Sequence, residues 1–144
     1  MSLMTAIEVG ASGLAAQRRR LEVLISNLVN ANTTRPAGAE PYRRKDVVFT
    51  ATEPGQSFEA AFDAAMGGVR GVEITRVVAD RTDPVRRYEP GHPHADKDGY
   101  VLYPNINSME EMVNILSATR SYEANLQATN AAKEMAVKTL EIIR

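Results

Sequence analysis

The sequence predicts an α+β protein in which long N- and C-terminal helices pair as a coiled coil and a small β-rich domain lies between them in the chain. Three observations carry this. All seven prolines fall between Pro36 and Pro104, so both ends are free of the residue that breaks helix interiors. Apolar residues recur at heptad spacing in both ends. The centre carries β-branched and aromatic runs punctuated by Pro, Gly and Asp instead. The boundaries that follow are 1–35 for the first helix, 36–104 for the centre and 105–144 for the last helix.

In the first segment Ile7, Leu14, Leu21 and Leu28 share one heptad position, and Leu3, Gly10, Gln17, Leu24 and Ala31 share the other. That is a narrow seam of the kind that covers itself with a partner helix. In the centre, Tyr42 to Thr50, Val69 to Ala79, Val85 to Glu89 and Gly99 to Tyr103 read as strands. The alternation of Val72, Ile74 and Val78 with polar residues suits a half-buried one. Residues 52–68 form a variable loop with one short helix, because Phe58 and Phe62 stand at helical spacing in a stretch rich in Ala and Gly. The last segment opens with Ser108 and, three residues on, Glu111, which reads as a capping box. Met112, Thr119, Leu126 and Leu140 then share one heptad position and Ile115, Tyr122, Thr129, Ala136 and Ile143 the other, with Leu116 beside them.

Length adds an argument about association. Helices of roughly 30 and 35 residues span about 45 and 52 Å, whereas a compact globule of this size is about 37 Å across. Their seams are completed by each other, by further copies, or by related chains. Composition agrees: the chain has no Cys, no Trp and only three Phe, so its apolar contacts are built from Leu, Ile, Val, Met and Ala. With no Cys, neither a disulfide nor a thiolate metal site can form. A net charge of −1 excludes a global field for nucleic acid or an anionic membrane. Arg18, Arg19 and Arg20 follow the first apolar positions, so no cleavable secretory signal is expected. The chain is cytosolic or leaves by a route that reads no such signal.

No chemistry of an enzyme stands out, and no cofactor, nucleic acid or small-molecule substrate is expected. His92 and His94, with Asp96 and Asp98, could be drawn as a metal site for a small hydrolase, but no second cluster supplies further ligands. A turn bonded to its own backbone is the better reading. Arg43, Arg44 and Lys45 read as solvated or inter-subunit charges, and with His92 and His94 they are the candidates for contacts of the central domain. Asn27, Asn30, Asn125 and Asn130 disfavour the helices that hold them unless their amides find partners. Either they fix register between helices or they face water. A free-standing coiled-coil adaptor would share these seams.

Ser12-Gly13-Leu14-Ala15-Ala16-Gln17, Arg20-Leu21-Glu22 and Asn27-Leu28-Val29-Asn30-Ala31-Asn32-Thr33-Thr34 resemble the N-terminal signature of bacterial flagellar rod and hook proteins. Tyr103-Pro104-Asn105-Ile106-Asn107, Glu111-Met112 and Ala118 through Asn125 resemble the C-terminal one. Pro41 through Lys45 and Pro90 through Val101 are similar to the proximal-rod branch; only residues 52–68 match poorly. The resemblance implies a subunit exported unfolded through the flagellar type III apparatus, without a cleaved signal, to the basal body. It implies a drive shaft in which terminal helices of many copies pack around a channel, with other rod proteins and a junction protein of the membrane ring as partners. On that basis Ile7, Leu14, Leu21, Leu24, Leu28, Met112, Ile115, Leu116, Tyr122, Leu126 and Leu140 carry subunit packing. Asn27, Asn30, Asn125 and Asn130 then set register between helices.

Overall fold

The computed structural model describes residues 3–52 and 70–142. Helix α1 spans Leu3–Val29, strands β1 Lys45–Ala51, β2 Val72–Ala79, β3 Val85–Tyr88 and β4 Tyr100–Tyr103 follow, and helix α2 spans Ser108–Ile142. Both expected helices and all four expected strands are present. The expected short helix around Phe58 and Phe62 lies outside the described residues. β1 pairs with β2 and β3 with β4, giving two separate two-stranded sheets. The chain divides into two compact units, one drawn from Met1–Arg19, Val48–Arg76 and Ala118–Arg144, the other from Arg20–Val47 and Val77–Ser117.

In the first unit, α1 and α2 run antiparallel and meet through small side chains. Gly10 faces Thr129 and Gly13 faces Asn125, and a Cβ on Gly10 would run into the Thr129 hydroxyl. Ala16, Ala118 and Ala132 are buried. Short side chains allow close approach but bury little area each. The β1–β2 ribbon is tied to α1 by Ser12, whose Oγ donates to the Val9 carbonyl at 2.7 Å and accepts from the Val72 N–H at 3.0 Å. Thr50 and Thr75 join the two strands through their hydroxyls at 2.7 Å. Here one expectation is corrected: Val72 and Val78 are exposed, and within β2 only Ile74 is half-buried. The alternation was real, but among the described residues β2 pairs only with β1, and a ribbon two strands wide covers little of itself.

The second unit has the larger side chains inside: Val23, Leu24, Val47 and Val101 are buried. β3 and β4 are antiparallel, with Val85 opposite Tyr103 and Tyr88 opposite Tyr100. That register puts Val85, Arg87, Val101 and Tyr103 on one face and Arg86, Tyr88, Tyr100 and Leu102 on the other. Val101 is fully buried, which makes the first face the inner one. The connection closes at Gly99, whose φ of +80° suits only glycine. A Cβ there would also sit 2.9 Å from the Tyr88 ring.

The start of α2 corrects a second expectation. Asn107, one residue earlier than Ser108, caps the helix: its Oδ1 accepts the Met109 N–H at 3.1 Å and its carbonyl accepts the Glu111 N–H at 3.0 Å. Ser108 is therefore already inside the first turn, and no capping box forms. Glu111 is freed for another task.

Candidate functional site

Asn27 and Glu111 are the two buried polar side chains, at 0% and 1% exposure, among the described residues. The Asn27 amide donates to the Lys45 carbonyl at 2.7 Å and to Glu111 Oε2 at 3.2 Å. Its Oδ1 accepts the Lys45 N–H and the Tyr42 hydroxyl, both at 2.9 Å. All four of its hydrogen-bonding positions are thus used. By exchanging two bonds with the Lys45 peptide, this side chain acts as a ladder partner for the first residue of β1. Arg44 Nε donates to Glu111 Oε1 at 2.6 Å, and Ser26 Oγ meets the Tyr42 hydroxyl at 3.2 Å. Partial burial works against the Arg44 charge, but the hydrogen bond and charge of Glu111, helped by Asp46, hold the guanidinium above its ordinary value. The end of α1, the segment entering β1 and the start of α2 are knotted by one satisfied polar cluster.

The sequence-predicted packing residues fall in two classes. On α1, Leu24 is buried and Ile7, Leu14, Leu21 and Leu28 are half-buried. On α2 the row Glu111, Ala118, Asn125, Ala132, with Ile115, Tyr122, Thr129 and Ala136, is buried or half-buried. The neighbouring row is not. Met112, Leu116, Leu126, Val137 and Leu140 are 48%, 61%, 41%, 48% and 69% exposed. Met112, Leu126 and Leu140 are separated by multiples of seven, as are Leu116 and Val137, and the two sets are three or four residues out of step, so together they form a second heptad stripe along the same helix. α2 is two-sided, and only its small-residue side meets α1.

The polar predictions separate in the same way. Asn27 bonds across helices, to Glu111 of α2. Asn30 bonds back to the Ser26 carbonyl at 2.8 Å, Asn125 lies against Gly13, and Asn130 is exposed. Arg44 is committed to Glu111, whereas Arg43 leans on the Asp80 carbonyl and Glu40 at 3.4 Å each. Lys45 joins the knot through its backbone. His94 Nδ1 meets the Thr34 hydroxyl at 2.8 Å and the His94 N–H donates to His92 Nδ1 at 3.0 Å, so both rings are built into their turn. Among the described residues no three His, Asp or Glu side chains gather as metal ligands. Sequence reasoning missed Tyr42 and Glu111 as knot members. The signal for Glu111 was present, a carboxylate in the same heptad row as Ala118, Asn125 and Ala132.

A helix pair that buries one side and leaves a second apolar stripe exposed along α2 defines a structural subunit that assembles with other chains. Residues 7–36 match the family model described as flagella basal body rod protein, and residues 97–142 match the one described as flagellar basal body rod FlgEFG protein C-terminal. The chain is 41% identical over 142 residues to the flagellar basal-body rod protein FlgC of Salmonella typhimurium, covering 99% of this chain and 98% of that one. It is 41% identical over 150 residues to the FlgC of Bacillus subtilis, covering 99% of each. It is 36% identical over 151 residues to the FlgC of Borreliella burgdorferi, covering 100% and 99%. The chain belongs to the flagellar basal-body rod protein family.

Proposed function

We propose that the chain is a structural subunit of the proximal rod of the bacterial flagellum, not an enzyme. It is built in by side-by-side packing of its two long helices with those of neighbours, so that torque passes from the membrane ring toward the hook. Its neighbours are further copies, other rod proteins and the junction with the membrane ring. It reaches them unfolded, through the flagellar type III apparatus. The observation that carries this reading is the exposed stripe Met112, Leu116, Leu126, Val137 and Leu140 on α2. A heterologous contact made through such a stripe, repeated without closure, builds a helical assembly. Ile7, Leu14, Leu21 and Leu28, half-buried in one chain, supply the facing surface on α1.

The test is Leu126→Asp in a flagellated strain lacking its own copy. The residue is exposed in the single chain, so the purified variant should keep its helicity and melt within about 0.5 kcal/mol of wild type. It should be missing from isolated basal bodies and leave cells non-motile. Normal swimming with the variant would overturn the reading.

A further inference from the structure

The outward face of the β3–β4 hairpin carries a side-chain set that the helices do not need. Tyr88 is 65% exposed, and Tyr100 and Leu102 stand beside it at 38% and 37%. Arg86 completes the face, its guanidinium stacked 4.6 Å from the centre of the Tyr100 ring and braced by Asp96 at 3.4 Å. Tyr88 meets Tyr100 edge to face at 5.3 Å. Gly99 leaves the space in which the Tyr88 ring lies. The face is thus held in one arrangement before anything binds. Tyr and Arg are the residues that most often carry interface energy, and ordering them in advance lowers the cost of association.

The same unit exposes a complementary surface on the first turns of α2. Met109 is 71% and Val113 63% exposed, with exposed Glu110 between them in sequence. Met109 continues the exposed α2 stripe, seven residues before Leu116, and Glu110 and Val113 lie beside it on the side turned away from Leu126. Methionine packs well on aromatic edges, and a carboxylate suits the donors that Arg86 does not turn toward Asp96. Within one chain both surfaces remain open. We propose that the Arg86, Tyr88, Tyr100 and Leu102 face of one copy docks on Met109, Glu110 and Val113 of a second copy. This rests on the rod-subunit reading and adds a defined contact between outer surfaces to the packing of helices. The two surfaces differ, so the contact is heterologous and passes from copy to copy along the assembly.

The absence of Cys from the chain makes a direct test available. Leu102→Cys and Val113→Cys are placed on two separately tagged copies, expressed together, and basal bodies are isolated and oxidised. A disulfide-linked heterodimer carrying both tags is expected. Each variant expressed alone should give no dimer. In parallel, Arg86→Glu and Glu110→Arg should each lower incorporation into basal bodies about tenfold, as loss of an interface anchor does, and the two changes together in one chain should restore it. Cysteine variants that incorporate normally without cross-linking to each other, or linkage of Leu102→Cys to a different protein, would overturn the proposal. So would charge variants that incorporate normally when single. Failure of the rod-subunit reading is seen separately, as absence of the unsubstituted chain from basal bodies.

Discussion

The two units solve the same problem, holding α1 against α2, by opposite means. In the first unit the helices touch through Gly10, Gly13, Ala16, Ala118 and Ala132, with Thr129 and Asn125 as the largest partners at the glycines. In the second, a carboxylate and an amide with almost no exposure are bonded to each other and to the strand that follows. Small side chains give proximity with little discrimination between one heptad and the next. A buried polar cluster discriminates strongly, because any other alignment leaves Glu111 and Asn27 dehydrated and unpaired. Specificity and closeness are therefore supplied by different residues at different places.

The comparison can be broken most sharply at Glu111. Removing its carboxylate leaves one Asn27 N–H without its acceptor and the Arg44 guanidinium with only the longer 3.5 Å contact to Asp46. Glu111→Ala should cost about 3 kcal/mol, the lower end for a broken buried pair, because the Arg44 side chain keeps 24% of its exposure. Urea titration reads this as a lower midpoint, and Glu111→Gln, which keeps one of the two accepting oxygens and sets an NH2 against the other donor, should recover no more than about half of the loss.

A smaller effect is expected in the first unit. Gly10→Ala gains about 1 kcal/mol of helix propensity but drives a methyl into Thr129, at about 2 kcal/mol of overpacking, for a net loss of about 1 kcal/mol. In a Thr129→Ala background the same change should become stabilising. Thermal melts of the four proteins in this cycle give the coupling directly.

The smallest effect belongs to acid. Backbone N–H groups of Tyr100 and Asp98, with Arg86, hold the Asp96 carboxyl below its ordinary 3.8. The Thr82 hydroxyl and N–H, with a contribution from Arg44, do the same for Asp80. A lowered folded value means stability that is complete above about pH 4 and is lost as pH falls from 3.8 through the depressed values. Melting temperature should drop between pH 4.5 and 2.5, and less so for Asp96→Asn, which keeps the accepting oxygen without its charge.

These effects also show where sequence reading succeeded and where it could not. Both helices and all four strands were legible because proline placement and β-branched runs act locally. Of the two heptad positions read on α2, the one with Ile115, Tyr122, Thr129 and Ala136 lies on the side against α1, and the one with Met112, Leu126 and Leu140 is open within a single chain. Pattern reading follows size and hydrophobicity, and it selected Met112, Leu126 and Leu140, the exposed side, over Glu111, Ala118 and Ala132, the side against α1. Glu111 was assigned to a capping box because Ser108 precedes it by three, whereas Asn107 performs the capping. Asn27 was legible as a seam polar group, but its partners Tyr42 and Lys45 come from a segment that no periodicity links to a helix. β2 alternates as a half-buried strand should, yet alternation cannot reveal that among the described residues its sheet is two strands wide.

The two adjacent rows of α2 also make the helix a phase-sensitive element. A substitution between Glu111 and Leu140 alters one contact. Deleting a single residue turns everything beyond it by about 100°, which brings Lys133 and Leu140 round toward the place of Ala132 and Thr139 and carries the alanine row outward. What the helix must preserve along its length is therefore count before composition. Natural changes of length in such a chain belong in its centre, where no heptad has to be kept in step.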